Sequence, residues 1–329
     1  MVDRLYKSNA NSLIRLQKSS MSTESVFVPS PHIGLVGLGL VGTALAKRLS
    51  LAGYGCIGFD IRPEATKVFE SSGFEVATSV ASLLEKTNTL VLAVFDTKGV
   101  LDVVGQIVQH QSGFNHVSPQ PLVLIDCSTG DPLKLAELAK QLVLNKIQLI
   151  EAPLSGSSAQ IANGEATLLL GGDAQQIENM GSVLNALATS QIHVGSAGMA
   201  AKAKLATNLV LGLNRASLAE GIVFAQAMGI EPSAFLHLVL NTPARSEAAV
   251  VKGDMMVKEQ FEPQSRIRQH LKDVQLMLDI AQSHSQNLPL SQAHAQLMRN
   301  AIEQGDGELD NAAIIRQIRR EKSASHHKD

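Results

Sequence analysis

Six residues constrain this chain more than any others: Gly37-Leu38-Gly39-Leu40-Val41-Gly42, a G-x-G-x-x-G run. Alone the pattern is weak. Here it follows a short apolar segment, 32–37, that reads as a buried strand, and it opens a segment with helical spacing, 41–52. In that context each glycine has a physical task. Gly37 permits a tight turn. Gly39 lets the backbone approach a pyrophosphate that the helix N-terminus stabilises, and Gly42 lets helix and strand pack closely. An acidic residue is required about 20 residues on, where the second strand ends, and Asp60 stands there. A carboxylate at that point accepts hydrogen bonds from ribose hydroxyls and repels a 2′-phosphate, which favours NAD. Arg62, two residues later, leaves NADP open as the alternative.

The rest of the first half extends this beginning. Apolar segments at 54–60, 89–95, 121–127, 147–151 and 166–171 alternate with helical segments at 63–71, 98–109 and 132–144. Continuous apolar strands separated by helices describe a parallel sheet covered on both faces, so the expected fold is a Rossmann-type, doubly wound α/β domain. The pattern changes after Gly195. Helical spacing runs through 199–228, 232–240, 244–258, 266–284, 289–303 and 310–320, with no convincing strand. The expected organisation is an extension at 1–30, a dinucleotide-binding domain at 31–194, an all-helical domain at 195–321 and a tail at 322–329.

Composition excludes several other classes. Of 329 residues, 45% are hydrophobic and 18% charged, which rules out a mostly disordered chain. A net charge of −2 and the absence of Trp leave neither an electrostatic footprint nor stacking platforms for nucleic acid. No apolar run is long enough for a membrane span. Two cysteines, Cys56 and Cys127, support neither a disulfide framework nor a zinc site, and they fit a reducing compartment. The cytoplasm is the expected location. The mitochondrial matrix is the alternative if the Ser-rich residues 1–30 are a presequence.

Three further segments carry candidate chemistry. Asp126-Cys127-Ser128-Thr129-Gly130-Asp131-Pro132 lies at the C-terminal end of a strand, where ligands bind in open α/β sheets, although the same residue types also cap helices. Ala152-Pro153-Leu154-Ser155-Gly156-Ser157-Ser158 is a small-residue loop able to expose successive N–H groups to an anion. Lys204 and Asn208 are four apart on one helix face. A lysine on an Ala/Leu-rich helix loses basicity when desolvated and then suits general acid/base work, whereas Lys202 reads as its solvated neighbour.

In this order the motifs resemble the 3-hydroxyisobutyrate dehydrogenase family of β-hydroxyacid dehydrogenases, from His32 to about Arg319. The resemblance includes Gly195-Ser196-Ala197-Gly198 ahead of Lys204, and Phe261-Glu262-Pro263 ahead of Lys272-Asp273. It implies an NAD(P)-dependent enzyme that oxidises the 3-hydroxyl of a small hydroxy acid by hydride transfer. Lys204 is then the catalytic lysine and Asn208 its companion. Ser128, Ser155, Gly156 and Ser157 hold the substrate. Thr129, Val94, Phe95 and Lys272 contact the cofactor, together with the glycine loop and Asp60. A homodimer or homotetramer is also implied.

This chain departs from the family pattern at Phe95, Ser157, Ala200, Thr207 and Ser265. Ser265, with Leu288-Pro289-Leu290-Ser291, is similar to the L-threonate dehydrogenase branch. Arg245 and Arg268 fall where a second cation could favour a doubly anionic substrate. Two other readings stand beside this one: a semialdehyde or imine reductase on the same fold, and a dinucleotide-binding module without catalysis. A histidine-based dehydrogenase would need His193, His237 or His270 paired with a carboxylate.

Overall fold

A computed structural model describes residues 32–113 and 121–324. The expected extension at 1–30 lies outside the described residues, as do the last five positions of the expected tail.

The first half contains β1 (His32–Val36), α1 (Leu40–Leu51), β2 (Gly55–Phe59), α2 (Pro63–Ser71), β3 (Glu75–Val76), α3 (Val80–Leu84), β4 (Thr89–Leu92), α4 (Thr97–Gly113), β5 (Leu122–Asp126), α5 (Pro132–Leu144) and β6 (Ile147–Glu151). It continues through β7 (Leu154–Ser155), α6 (Ser158–Asn163), β8 (Thr167–Gly171), α7 (Ala174–Asn179), α8 (Gly181–Leu187) and β9 (Ser190–Gly195). One sheet collects the strands in the order β3-β2-β1-β4-β5-β6-β8-β7, with β9 on β8. The strands from β3 to β6 are parallel. β8 runs antiparallel to β6 and β7, and β9 pairs parallel to β8. The run of parallel neighbours is therefore broken after β6, because the short β7 and α6 turn the chain back before β8, and it resumes between β8 and β9. β9 is a strand that hydropathy does not reveal, since most of its side chains remain partly exposed.

Strand order reverses between β1 and β4: the chain leaves β1 toward β2 on one side and returns to β4 on the other. Loops at such a reversal separate and open a crevice at the C-terminal strand ends. Apolar side chains fill both faces of the sheet. Ile33, Leu35, Val91 and Ile150 pack on one face and Leu90, Leu92 and Leu124 on the other.

The second half is helical: α9 (Met199–Ala227), α10 (Pro232–Leu240), α11 (Glu247–Lys258), α12 (Ile267–Ser283), α13 (Pro289–Glu303) and α14 (Ile314–Ala324). Their own core includes Leu205, Ile222, Met256, Val274 and Ile315. The expected final helix at 310–320 is two 3-10 turns, Asp306–Glu308 and Asn311–Ala313, followed by α14, which continues three residues into the expected tail. Asp310 caps the second turn by accepting the Ala312 amide at 2.9 Å. Among the described residues, no helix is long and apolar enough to cross a membrane.

Candidate active site

The glycine loop has a shape that only glycine permits. Gly37 has φ +95°, and a Cβ there would lie 2.4 Å from the Ala93 carbonyl oxygen in the loop after β4. A Cβ on Gly42 would lie 1.9 Å from the Gly37 oxygen. At Gly39 the only atom near such a Cβ is an Arg62 nitrogen at 3.7 Å, so the backbone there is open to a ligand. Gly39 is also the N-cap of α1 and provides no side-chain cap. The amides of the first turn are thus left for an anion.

The Asp60 carboxylate accepts the Leu38 amide at 2.7 Å, the Arg62 amide at 2.9 Å, and Arg62 Nε and Nη2 at 3.0 and 2.9 Å. Burial alone would raise the Asp60 carboxyl, but these bonds and the Arg62 charge hold it below its ordinary value. Leu38 therefore turns inward. Its amide serves Asp60 and its side chain joins the core, while Leu40 and Val41 face the cleft. The open backbone at Gly39, the uncapped helix start and the acidic end of β2 fit a dinucleotide.

A cleft of about 710 Å³ runs from this loop into the helical region. Val94, Ser128, Thr129, Ser155, Gly156, Ser157, Lys204 and Asn208 all line it. The two Ser/Thr-rich motifs divide their work inside it. In the β5 loop, Asp131 caps α5 by accepting the Leu133 and Lys134 amides, whereas Ser128 and Thr129 reach the cleft. Ser128 Oγ accepts the Val94 amide at 3.1 Å, and its hydroxyl also bonds the Asp126 carboxyl. Below it Asp126 accepts the Ser128 amide at 2.9 Å, and burial pushes its carboxyl up to about 7.

In the β7 loop the structure reduces what the sequence promises. Ser157 is the N-cap of α6. Its Oγ accepts the Gln160 amide at 3.3 Å, and its own amide donates to Gln160 Oε1 at 2.9 Å. The Ser158 amide donates to the Gln264 carbonyl at 3.3 Å. Successive free N–H groups are therefore not present. The capping box consumes the Ser157 amide and a bond to the helical region consumes the next, so Ser157 is first a cap, and Ser155 and Gly156 are left on the cleft wall.

Lys204 is held in place from the sheet. Glu151, at the end of β6, accepts the Gly198 amide at 2.6 Å and the Ala200 and Ala201 amides at 3.1 and 3.3 Å. These are orphan donors at the start of α9, and a carboxylate there also meets the positive end of the helix dipole. Sequence reading missed Glu151 because its partners lie 47–50 residues away. From that anchored end α9 turns Lys202 to solvent and buries Lys204 and Asn208.

Burial lowers the Lys204 ammonium from 10.5 to about 8. Asp273 opposes the shift and Lys272 adds to it. Asn208 Nδ2 donates to Asp273 Oδ2 at 3.3 Å. Lys272 pairs with Asp273 at 2.9 Å and donates to the carbonyls of Phe95 and Thr129 at 2.7 and 2.9 Å. Its ammonium also lies 5.3 Å from the Phe95 ring centroid. One lysine of α12 thus fastens the helical region to both ligand loops of the sheet.

The remaining expectations separate cleanly. Arg245 is exposed, and Arg268 is bound to Glu308 at 2.9 Å on the surface, so neither supplies a second cation to the cleft. Besides Lys204, the buried cations on the cleft wall are Arg215 and Lys252. No His–carboxylate pair forms at the three histidines considered. His193 contacts the carbonyls of Gly172 and Gly195, His237 contacts Asn241, and His270 packs against His294 at 5.3 Å between ring centroids. Cys56 and Cys127 are free and buried.

Comparison with known proteins agrees with this geometry. Residues 32–195 match the family model described as the NAD binding domain of 6-phosphogluconate dehydrogenase. Residues 198–318 match the one described as NAD-binding of NADP-dependent 3-hydroxyisobutyrate dehydrogenase. The chain is 29% identical to L-threonate dehydrogenase of Cupriavidus necator, over 87% of this chain and 96% of that protein. It is 26% identical to 2-hydroxy-3-oxopropionate reductase of Escherichia coli, over 89% and 98%. The fold is that of a solved 3-hydroxyisobutyrate dehydrogenase from Salmonella typhimurium, with a TM-score of 0.76 at 24% identity, covering 87% of this chain and 99% of that one. Glycine loop, switch-point crevice and both family matches lead to one conclusion: the chain belongs to the 3-hydroxyisobutyrate dehydrogenase family and is an NAD(P)-dependent oxidoreductase.

Proposed function

We propose that this protein oxidises the 3-hydroxyl of a small 3-hydroxy carboxylic acid, with NAD preferred over NADP and Lys204 as general acid/base. The observation that carries the reading is Lys204 itself: buried on the cleft wall beside Asn208, with its ammonium lowered to about 8. A lysine in that range is part neutral and part charged near neutral pH, which lets it both take and return a proton.

A nicotinamide dinucleotide held by the glycine loop and Asp60 would supply the hydride acceptor. The chain's own residues do the rest. Ser128, Ser155 and the Gly156 amide hold the substrate carboxylate. Neutral Lys204 takes the proton from the 3-hydroxyl during oxidation, and its ammonium returns it in reduction while offsetting negative charge on the substrate oxygen. Asn208, fixed by Asp273, orients the same hydroxyl. Asp60, braced by Arg62, excludes a 2′-phosphate. The strand-rich region 31–194 holds the cofactor and the helical region 195–321 brings the lysine.

Assembly as a homodimer or homotetramer is part of the same proposal, supported by exposed apolar side chains of the helical region such as Val210, Phe224 and Met228. Two buried free thiols support a reducing location such as the cytoplasm. The test is an NAD-versus-NADP assay over L-threonate, 3-hydroxyisobutyrate, D-glycerate and 3-hydroxypropionate, with Lys204→Ala beside the wild type. NAD-dependent turnover that collapses in the variant is the expected result. Turnover that survives would overturn the lysine mechanism.

A further inference from the structure

The helical region bonds the ligand loops of the sheet at two separate points. Lys272 of α12 holds the carbonyls of Phe95 and Thr129, in the loops assigned to the cofactor. The second point lies on the substrate loop, where the Ser158 amide donates to the Gln264 carbonyl at 3.3 Å. Gln264 belongs to an irregular segment, 261–266, between α11 and α12. Gln264 and Ser265 line the same cleft as Ser155, Gly156 and Ser158.

This segment is folded around one buried carboxylate. Asp310, 0% exposed, accepts Lys252 Nζ at 2.9 Å and the Gln264 and Ser265 amides at 2.9 and 3.1 Å, all on Oδ2. The Asp310 amide donates back to the Phe261 carbonyl at 3.0 Å, and the Asn311 amide to the Ser265 carbonyl at 2.8 Å. Lys252 of α11 is buried too and donates to Gln264 Oε1 at 3.2 Å. Gln264 is therefore fixed by its amide and by its side chain, and its carbonyl is left to meet Ser158. Lys252 also contacts the Met255 sulfur at 3.7 Å. An ammonium has three donors, and all three are committed inside the protein. Lys252 stands on the cleft wall, yet it has no donor to spare for a ligand.

We propose that Lys252 and Asp310 are positioning residues for the substrate: the pair holds segment 261–266 as a strap on the substrate loop and sets substrate affinity apart from cofactor affinity. This rests on the reading above that Ser155 and Gly156 meet the substrate carboxylate. The strap grips the loop two residues beyond Gly156. A loop held in its binding shape loses less freedom when the ligand arrives, and that saving appears as affinity. The cofactor loops are fastened by Lys272 through different atoms, so loosening the strap leaves them in place.

Two measurements on the full chain test the strap without relying on turnover. Calorimetry gives the affinity for NAD, and then for isobutyrate with NAD present; isobutyrate carries the carboxylate but no 3-hydroxyl to oxidise. Hydrogen exchange reads the Ser158 amide. Lys252→Met weakens isobutyrate about tenfold and leaves NAD affinity within about twofold. Exchange at Ser158 quickens about tenfold, although Lys252 makes no bond to that residue. Lys252→Arg keeps most of the isobutyrate affinity. Removing one member of a buried ion pair strands the other, so the double variant Lys252→Met/Asp310→Asn, which removes both charges, repeats the test in a neutral setting.

Unchanged isobutyrate affinity or unchanged Ser158 exchange in both Met variants would overturn the proposal. So would variants that lose NAD and isobutyrate alike, the signature of a packing role, or a wild type that binds no isobutyrate. Failure of the two readings is separable. Lys204-dependent oxidation of hydroxy acids with isobutyrate affinity untouched by Lys252→Met defeats only the strap. Selective loss of isobutyrate in a protein that oxidises no hydroxy acid defeats the dehydrogenase reading and leaves the strap standing.

Discussion

The two walls of the cleft are made of different material. The sheet wall is largely backbone: the open turn at Gly39, the uncapped start of α1 and the amide of Gly156. The nearby Asp60, at the end of β2, is tied into four hydrogen bonds. The helical wall is made of long side chains whose charge is only partly answered: Lys204, Lys252 and Arg215 against Asp273 and Asp310. Backbone donors keep their polarity at any pH, so the first wall suits a ligand that is held. Buried side chains change protonation with their surroundings, so the second suits a ligand that reacts.

The largest effect of a substitution falls on the helical wall. Lys204→Ala should lower kcat by about a thousandfold while NAD affinity stays unchanged, as steady-state kinetics and cofactor titration would show. In the wild type, kcat/KM for oxidation should rise with pH to a plateau above about 8, because the neutral amine is the base. Reduction should fall over the same range. A flat profile would remove Lys204 from the proton transfer.

The sheet wall should respond in affinity rather than in rate. Asp60→Asn removes the negative charge that accepts four donors and frees Arg62 to meet a 2′-phosphate. The NADP/NAD preference should shift toward NADP by about tenfold to a hundredfold, equivalent to one charged hydrogen bond of about 1.5–3 kcal/mol. Paired KM measurements for the two cofactors would read it, and an unchanged ratio would sever Asp60 from cofactor choice.

Glu151 joins the two walls, so its loss tests whether they act as one body. Glu151→Ala strands three amides at the start of α9 and should cost about 2–3 kcal/mol in denaturant unfolding. The smallest effect should come from Ser157→Ala, which removes a helix cap worth about 1 kcal/mol of stability and leaves the substrate KM nearly unchanged. A large rise in KM would restore Ser157 to the substrate seat.

Much of the fold is legible along the chain because the signals are local. α2, α5, α10 and α13 each begin at a proline in their first turn, and their observed limits are those the sequence indicates. The short β3, α3, β7 and α6 carry too few residues for periodicity to register. β9 lacks an apolar run because a sheet edge buries little of it. The antiparallel direction of β8 is likewise hidden, since a buried strand has the same hydropathy in either sense.

The candidate site divides along the same line. Gly37, Gly39, Gly42 and Asp60 announce themselves, because a tight turn, a close approach and an acid at the end of a strand are requirements on local backbone geometry. Sequence alone therefore determined the dinucleotide loop, the α/β-then-helical order and the family. Tertiary structure decided how deeply Lys204 is desolvated, and that Glu151 rather than a neighbour caps α9. It also decided that Ser157 serves its own helix, and that the cation on the cleft wall is Arg215 rather than Arg245 or Arg268. Each of those outcomes depends on burial and on partners far away in the chain. Desolvation and charge pairing are properties of the assembled volume, and no stretch of sequence contains them.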